Sequence, residues 1–250
     1  AGALLPPPAA IGPLEIVDPV FAGQVRQLRG RLGADRIEVR IRFGSLVDQL
    51  ISTTEPTDLL VTEAAPPGTT GLAVTLGAHA SATVVAVRPT APRTTVAGPF
   101  AGHVVVGVDG AGRDSGPIRF AFDYAERHGK PLTAVHADEP DGAGLWIDDQ
   151  FLEIHPLGHT FGLDMLDAAV AAAHANHPRV AIRRAVMHQP ATAALVRASA
   201  GALLLVVGDR GRGPIARHLL GSVSRHVLTH GRCTVAVVHG AQATPAAAAF

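Results

Sequence analysis

The chain has 250 residues, with 21 basic (Lys and Arg) and 21 acidic side chains, so its formal net charge is zero. A neutral chain lacks the concentrated positive charge of proteins that bind nucleic acids or anionic membranes, and we expect neither partner. Hydrophobic residues make up 47% and charged residues 17% of the sequence. This composition excludes a disordered chain, and the length suffices for two small domains.

Cys233 is the only cysteine, which excludes an intrachain disulfide and a metal site built from several cysteines. A chain without disulfides suits a reducing compartment, and no apolar run approaches the length of a membrane helix. The first ten residues contain Pro6-Pro7-Pro8 and lack the basic segment that is typical of a secretory signal. We therefore expect a cytoplasmic protein.

The beginning of the chain predicts few regular elements. Residues 1–35 predict one helix, Glu15–Leu32, and no clear first or second strand of an α/β unit. Residues 37–61 (IEVRIRFGSLVDQLISTTEPTDLLV) then predict a strand, a helix of about ten residues and an apolar strand. The first part of the chain is therefore predicted to be an incomplete α/β unit.

A segment rich in Pro, Thr, Gly and Ala separates this part from the rest of the chain. It covers residues 88–102 (RPTAPRTTVAGPFAG) and lies between two apolar runs of strand length, which is typical of a linker. The predicted organisation is a first domain over residues 1–90, a linker over 91–102, a second domain over 103–240 and an Ala-rich tail over 241–250.

Strands and helices alternate strictly after the linker. The predicted strands are His103–Val108, Leu132–His136, Val180–Met187, Leu203–Val207 and Thr234–Val238, and the predicted helices are Ser115–His128, Gly158–Asn176, Ala191–Ala200 and Ile215–His230. Strict alternation of this kind predicts a parallel sheet with helices on both faces.

The two halves of the chain share part of this pattern. Residues 37–61 align without gaps on residues 182–206 at an offset of 145, and Leu50-Ile51 then falls on Leu195-Val196. This agreement predicts a tandem duplication. The alternative is that any two α/β units look alike at this level.

Glycine and serine concentrate after the fourth strand of the second half. Two residues separate Gly208 from Gly211, and nine separate Gly211 from Gly221-Ser222, which gives the spacing G-x2-G-x9-G-S. A glycine-rich turn at the carboxyl end of a strand lets the backbone approach a ligand closely. Free N–H groups of the turn and of the following helix attract negative charge, and Ser222 and Ser224 add hydroxyl donors. The pattern predicts a phosphate site; the alternative is a flexible turn without a ligand.

Asp109 follows the first predicted strand of the second half. Because the carboxyl ends of parallel strands meet at one edge of the sheet, its carboxylate is expected to face the same crevice as the glycines. A carboxylate accepts hydrogen bonds from ribose hydroxyls, whereas it repels phosphates. Together these residues predict a nucleotide site.

Three segments of the second half resemble universal stress proteins of the ATP-binding type. They are VVVGVDG (104–110), AVHA (134–137) and LLVVGDRGRGPIARHLLGSVSRHVLTHGRCTVAVVH (204–239), so the resemblance covers residues 100 to 240. It implies two tandem, Rossmann-like α/β domains, the first of them incomplete, with a five-stranded parallel sheet that binds ATP, with or without Mg²⁺. It also implies a nucleotide-dependent regulator of a stress or dormancy response.

The resemblance also assigns site residues and partners. Asp109 is expected at the ribose and adenine, with Gly107 and Val108 beside it and Ala137 against adenine. The residues expected to line the nucleotide are Val207, Gly208, Arg210 and Gly211, and those expected to hold phosphate are Gly221, Ser222, Val223 and Ser224. Domains of this family pair through their last strand, here Thr234–Val238, which implies an intrachain pseudo-dimer or a homodimer.

The first half departs from this motif. Glu63 replaces the first glycine, Pro66 replaces the second, and Ala78 follows Gly77 where serine is expected. The helix after this segment is predicted to be about seven residues short. Since Glu63 repels phosphate and Pro66 lacks an N–H donor, we expect that the first half does not bind ATP by this motif.

Three classes of function remain open: an ATP-binding regulator, a weak ATP hydrolase or adenylyl-transferring enzyme, and a nucleotide-free interaction scaffold. Phosphoryl transfer needs a positioned base and usually a lysine or a metal clamp. The only lysine, Lys130, lies before the second strand, and no carboxylate pair adjoins the motif. His226 and His230 have a helical spacing that suits zinc, but no third ligand is evident. We therefore expect nucleotide binding without catalytic residues or a metal site, and at most weak ATPase activity.

Overall fold

The computed structural model describes residues 18–88, 98–110, 115–138, 156–209 and 220–239. The chain divides into two compact units, one up to Gly44 and one from Ser45 onward. Within the described ranges, no helix combines the length and the apolar character needed to cross a membrane.

In the described part of the first unit, residues 18–44, the chain forms one α-helix. Helix α1 (Pro19–Leu32) begins after Asp18, whose carboxylate accepts a hydrogen bond from the Phe21 amide at 2.9 Å. This contact satisfies one of the free N–H groups of the first turn, and Pro19 suits the first helical position. A 3-10 helix over Ala34–Arg36 follows. The helix is confirmed, but it begins four residues after its predicted start.

The second unit is built on one seven-stranded sheet. Its strands in chain order are β1 (Leu59–Glu63), β2 (Thr83–Val87), β3 (Val104–Gly107), β4 (Leu132–Ala137), β5 (Ile182–Met187), β6 (Leu204–Gly208) and β7 (Thr234–Val238). They lie in the order β1-β2-β7-β6-β3-β4-β5. All neighbouring strands are parallel except β2 and β7, which are antiparallel. The predicted α/β class with a parallel sheet is confirmed.

Helices follow the strands on both faces of this sheet. They are α2 (Leu46–Thr53), α3 (Leu72–His79), α4 (Ser115–His128), α5 (Pro156–Asn176), α6 (Ala191–Ala198) and α7 (Ser222–His230). The strands and helices predicted after residue 102 are confirmed to within two residues at their ends, apart from the start of α7. Its predicted beginning at Ile215 lies outside the described residues.

Two apolar cores lie on opposite faces of the sheet. In β3, Val105 belongs to the core that contains α3, α6 and α7, whereas Val104 and Val106 belong to the core that contains α4 and α5. All three valines are fully buried. A strand that is buried on both faces needs a continuous apolar run, which explains why the alternation of elements was readable from the sequence.

The predicted strand at Ile37 is wrong, because residues 37–43 contain no strand. The segment aligned with it in the second half is β5, which pairs only with β4. Among the described residues of the first half, no strand corresponds to β4. A strand without a neighbour lacks partners for its backbone N–H and C=O groups, so an alternating sequence alone does not hold it extended.

The antiparallel pair β2–β7 is arranged symmetrically. Val85 pairs with Ala236, flanked by the pairs Val84–Val237 and Ala86–Val235. The strands β2 and β7 correspond at an offset of 151, and the same offset relates the last residues of α3 and α7. Residues 85 and 236 are therefore equivalent positions that face each other, as expected of a local twofold axis.

The prediction of a shortened first-half helix is also wrong. Helix α3 has eight residues and α7 has nine. The difference lies in the connection before the helix, which has eight residues (64–71) in the first half and thirteen (209–221) in the second. The first half therefore lacks part of the turn that carries the glycine motif, and it keeps the helix.

The single cysteine gives a direct test of this packing. Cys233 is 7% exposed, and burial raises the pKa of its thiol to about 12. Because the thiolate is the reactive form, the native protein should resist iodoacetamide at pH 8, whereas protein unfolded in guanidinium should be modified fully. Mass spectrometry of both samples checks this, and rapid alkylation of the native protein would contradict the buried position of Cys233.

Candidate functional site

The carboxyl ends of three neighbouring strands form the candidate site. Strands β4, β3 and β6 lie side by side and run parallel, so their carboxyl ends share one edge of the sheet. The helix that follows β3 packs in one core and the helix that follows β6 packs in the other. Connections that diverge to opposite faces leave a crevice between the two strand ends, where parallel α/β sheets bind their ligands.

The turn after β3 is fixed by β4. The Val108 amide donates to the Val135 carbonyl at 2.9 Å, and Nδ1 of His136 donates to the Val108 carbonyl, also at 2.9 Å. His136 is buried, so this bond is shielded from water. Both main-chain groups of Val108 are thus held, and the exposed Asp109 follows at the rim of the crevice.

Two other predicted residues lie at this end of the site. Ala137 ends β4 and is half-buried, next to Asp138, whose amide donates to the Met187 carbonyl at 3.0 Å. Gly107 ends β3, and a Cβ atom there would lie 3.1 Å from a methyl group of Leu195 in α6. A larger residue at position 107 would therefore require the Leu195 side chain to move by a few tenths of an ångström.

The end of β6 is tied to the beginning of α7. The Asp209 amide donates to the Val238 carbonyl at 3.1 Å, and the Gly221 amide donates to the Asp209 carbonyl at 2.7 Å. The Ser224 hydroxyl donates to the Gly208 carbonyl at 2.5 Å. These contacts place the first turn of α7 directly beside the carboxyl end of β6. Val207, the residue before Gly208, is buried within the sheet.

The first turn of α7 presents backbone donors to the crevice. Its N-cap is Gly221, which has no side chain that could accept from the free N–H groups of the turn. Ser222 is exposed and Val223 is half-buried. A helix N-terminus without a capping side chain and with an exposed hydroxyl is suited to an anion such as phosphate.

The two serines of the motif have different positions. The hydroxyl hydrogen of Ser224 is used by the Gly208 carbonyl, and the side chain is 4% exposed. Ser222 therefore supplies the accessible hydroxyl, while Ser224 holds the helix against β6. Two further residues predicted at the nucleotide, Arg210 and Gly211, lie outside the described residues.

The structure adds two residues that the sequence did not single out. His136 fixes the turn after β3, and its only sequence signal is a polar residue inside the apolar run LTAVHA. Asp209 is 7% exposed and joins β6, β7 and α7 through its main chain. It lies inside the glycine motif, at a position that the spacing leaves unspecified.

The corresponding region of the first half has a different surface. Glu63 ends β1 and is exposed, as is Pro66 in the following connection. Ala78 lies within α3, near its C-terminal end. That the first half does not bind ATP by this motif stays a prediction, based on the carboxylate at the strand end and the proline in the connection.

The candidate zinc pair forms a local contact within α7. The rings of His226 and His230 stack with their centroids 4.2 Å apart, and Nδ1 of His230 donates to the His226 carbonyl at 3.2 Å. Burial lowers the pKa of His226. Stacking of the rings and the use of one ring nitrogen by the backbone favour a structural role for this pair.

Comparison with known proteins identifies the family. The family model described as "Universal stress protein family" matches residues 101–239, which is more than half of the chain. This chain belongs to the universal stress protein family. The match covers β3 to β7, and therefore every strand and helix that contributes to the candidate site.

Relatives and solved structures extend the likeness beyond the matched region. Universal stress protein Rv2005c of Mycobacterium tuberculosis is 29% identical over 231 residues, which cover 87% of this chain and 75% of that protein. Universal stress protein Rv2623 of the same organism is 34% identical over 134 residues, covering 54% and 44% of the two chains. The crystal structure of a universal stress protein from Archaeoglobus fulgidus has a TM-score of 0.59 at 16% identity, covering 92% and 79% of the two chains. The last match shows that the fold is shared.

The different positions of the two serines lead to a test. Ser224→Ala removes the buried hydroxyl that donates to the Gly208 carbonyl and should cost about 1–3 kcal/mol of unfolding free energy. Ser222→Ala removes an exposed hydroxyl and should change stability by less than about 0.5 kcal/mol. Urea denaturation of both variants checks this difference. Equal losses in the two variants would contradict the assignment of Ser224 to the contact with β6.

Proposed function

We propose that this chain is a regulatory protein that binds one ATP in the crevice at the carboxyl ends of β3, β4 and β6. The observation that carries the proposal is the placement of two complementary regions at neighbouring strand ends. One is the exposed carboxylate of Asp109 after β3, and the other is the N-terminal turn of α7 beside β6. Neighbouring strands are only about 4.8 Å apart, so one nucleotide can contact both regions.

The adenosine is assigned to the β3–β4 side of the crevice. Asp109 is positioned to accept hydrogen bonds from ribose hydroxyls, because His136 holds the preceding residue in place. Val108 and Ala137 are half-buried and apolar, and they offer a surface for the adenine ring. A carboxylate on this side repels phosphates and so orients the ligand with its phosphates toward β6.

The phosphates are assigned to the first turn of α7. The backbone N–H groups after Gly221, the hydroxyl of Ser222 and the positive end of the helix all favour negative charge there. Arg210 and Gly211, which follow Asp209 in the sequence, are assigned to the same phosphates on the motif spacing. If Mg²⁺ accompanies the nucleotide, it supplies charge neutralisation of the phosphates.

We further propose a tandem arrangement in which only the second half binds the nucleotide. The symmetric β2–β7 pairing and the common offset of 151 support two related halves. The carboxylate of Glu63 and the short connection to α3 disfavour a second site. Binding without efficient turnover is proposed because the only lysine, Lys130, lies before β4 and no pair of carboxylates adjoins the motif in the sequence. We propose a regulatory role in a stress or dormancy response, which membership of the universal stress protein family supports.

Ser222→Glu tests the phosphate assignment. A carboxylate at the first position of α7 interacts favourably with the helix dipole, so the variant should fold as stably as the wild type. It occupies the proposed phosphate position with negative charge, so ATP binding should fall by at least about a hundredfold. Isothermal titration with ATP should give one site per wild-type chain and no measurable heat for the variant.

Thr70→Glu is the matched control, because it adds the same charge near the N-terminus of α3 in the first half. Its affinity for ATP should equal that of the wild type. Loss of binding in both variants, or in neither, would contradict the assignment of the phosphates to α7. Absence of adenine nucleotide binding in the wild-type protein would overturn the proposed function, and phosphate release at tens per second would favour an enzyme.

A further inference from the structure

The C-terminal end of α7 is closed by groups from the first half of the chain. The last carbonyls of a helix have no donors within the helix and need partners from elsewhere. The Leu228 carbonyl accepts from the guanidinium of Arg88 at 3.0 Å, and the Thr229 carbonyl accepts from the Gly68 amide at 3.2 Å. The first half, which lacks the glycine motif, therefore supplies hydrogen-bond donors to the C-terminal end of α7 in the second half.

Arg88 is the charged residue among the groups that bind the C-terminal end of α7. It directly follows β2, and its second terminal nitrogen donates to the Ala65 carbonyl at 3.0 Å. One planar guanidinium thus joins the connection before α3 to the end of α7. Its positive charge also lies at the negative end of the α7 dipole, where a cation is stabilising.

An equivalent contact acts in the opposite direction. His239 directly follows β7, and its Nε2 donates to the Gly77 carbonyl in α3 at 3.0 Å. The offset of 151 that relates β2 to β7 also relates Arg88 to His239 and Gly77 to Leu228. The residue after the last strand of each half therefore reaches the last helix of the other half.

We propose that Arg88 is a positioning residue for the phosphate-binding end of α7. The inference rests on the proposed function for its effect on the ligand, and on the contacts above for its effect on the helix. Helix α7 is about 13 Å long and rigid, so a change at its C-terminal end alters the orientation of its first turn. Ser224 fixes one end of the helix to β6, and Arg88 fixes the other end to the first half.

This arrangement gives the first half a role in nucleotide binding without a site of its own. Substitutions in the connection that contains Ala65 and Gly68 would alter nucleotide affinity by changing the position of α7, and not by contacting the nucleotide. The same connection is the segment in which the first half differs most from the second. The first half therefore lacks the glycine motif in this connection but keeps the contacts with α7, which carries the proposed phosphate site of the second half.

Arg88→Met tests the proposal, because methionine has a similar unbranched stem but no donors and no charge. Hydrogen exchange at the amides of residues 225–230 in nucleotide-free protein should accelerate about tenfold, and ATP affinity should fall about tenfold. The control is His239→Leu, which removes the equivalent contact at α3. It should leave exchange in α7 and ATP affinity within about twofold of the wild type, because it acts on the other helix.

Each outcome decides one part of the account. If exchange in α7 and ATP affinity are unchanged in Arg88→Met, the positioning role is overturned while the proposed function stands. If hydrogen exchange accelerates in Arg88→Met and the wild type binds no nucleotide, the stabilisation of α7 by Arg88 is supported and the proposed function fails. Should Arg88→Met not fold, Arg88→Lys replaces it: one ammonium cannot span the Ala65 and Leu228 carbonyls, so an intermediate loss of affinity is expected and full affinity would overturn the role.

Discussion

The antiparallel pairing of β2 with β7 is the interaction on which the rest of this structure depends. It joins the strand–helix–strand segment of the first half to the larger parallel sheet and extends five strands to seven. The pairing also brings α3 against α7, so that both helices share one apolar core. This geometry also explains the contacts of Arg88 and His239. Each of these residues directly follows its strand and forms a hydrogen bond with a carbonyl group in the last helix of the other half.

The candidate site is constructed mainly from the backbone. Three strand ends, the turn after β3 and the first turn of α7 supply its surfaces, and the side chains of His136 and Ser224 act by holding carbonyl groups. A site of this type needs little net charge, which agrees with the neutral composition of the chain. Two glycines act differently at this site. Gly221 leaves the N-terminus of α7 without a capping side chain, whereas Gly107, which has no Cβ atom, leaves space for the side chain of Leu195.

Much of the fold was predictable from the sequence, because strands β3, β6 and β7 are largely apolar and buried, as a sheet that is covered on both faces requires. The features that escaped prediction depend on long-range contacts. The alternating segment at Ile37 resembles a strand, yet a strand forms only beside a partner, which local sequence does not specify. The contact of His136 with Val108 spans 28 residues, and the direction of the Ser224 hydroxyl depends on how α7 meets β6. The sequence showed that this segment of the first half is shorter than its counterpart in the second. Only the observed ends of α3 show that the connection before the helix is shorter, and not the helix itself.

The central claim is that one nucleotide lies across β3, β4 and β6 and that the first half holds none. Photolabelling with 8-azido-ATP, followed by proteolysis and mass spectrometry, tests this claim most directly because the azide reports the position of the adenine ring. We expect one label per chain, located within residues 104–110 or 132–138 and abolished by excess ATP. A label within residues 59–88, or one that excess ATP does not displace, would contradict it.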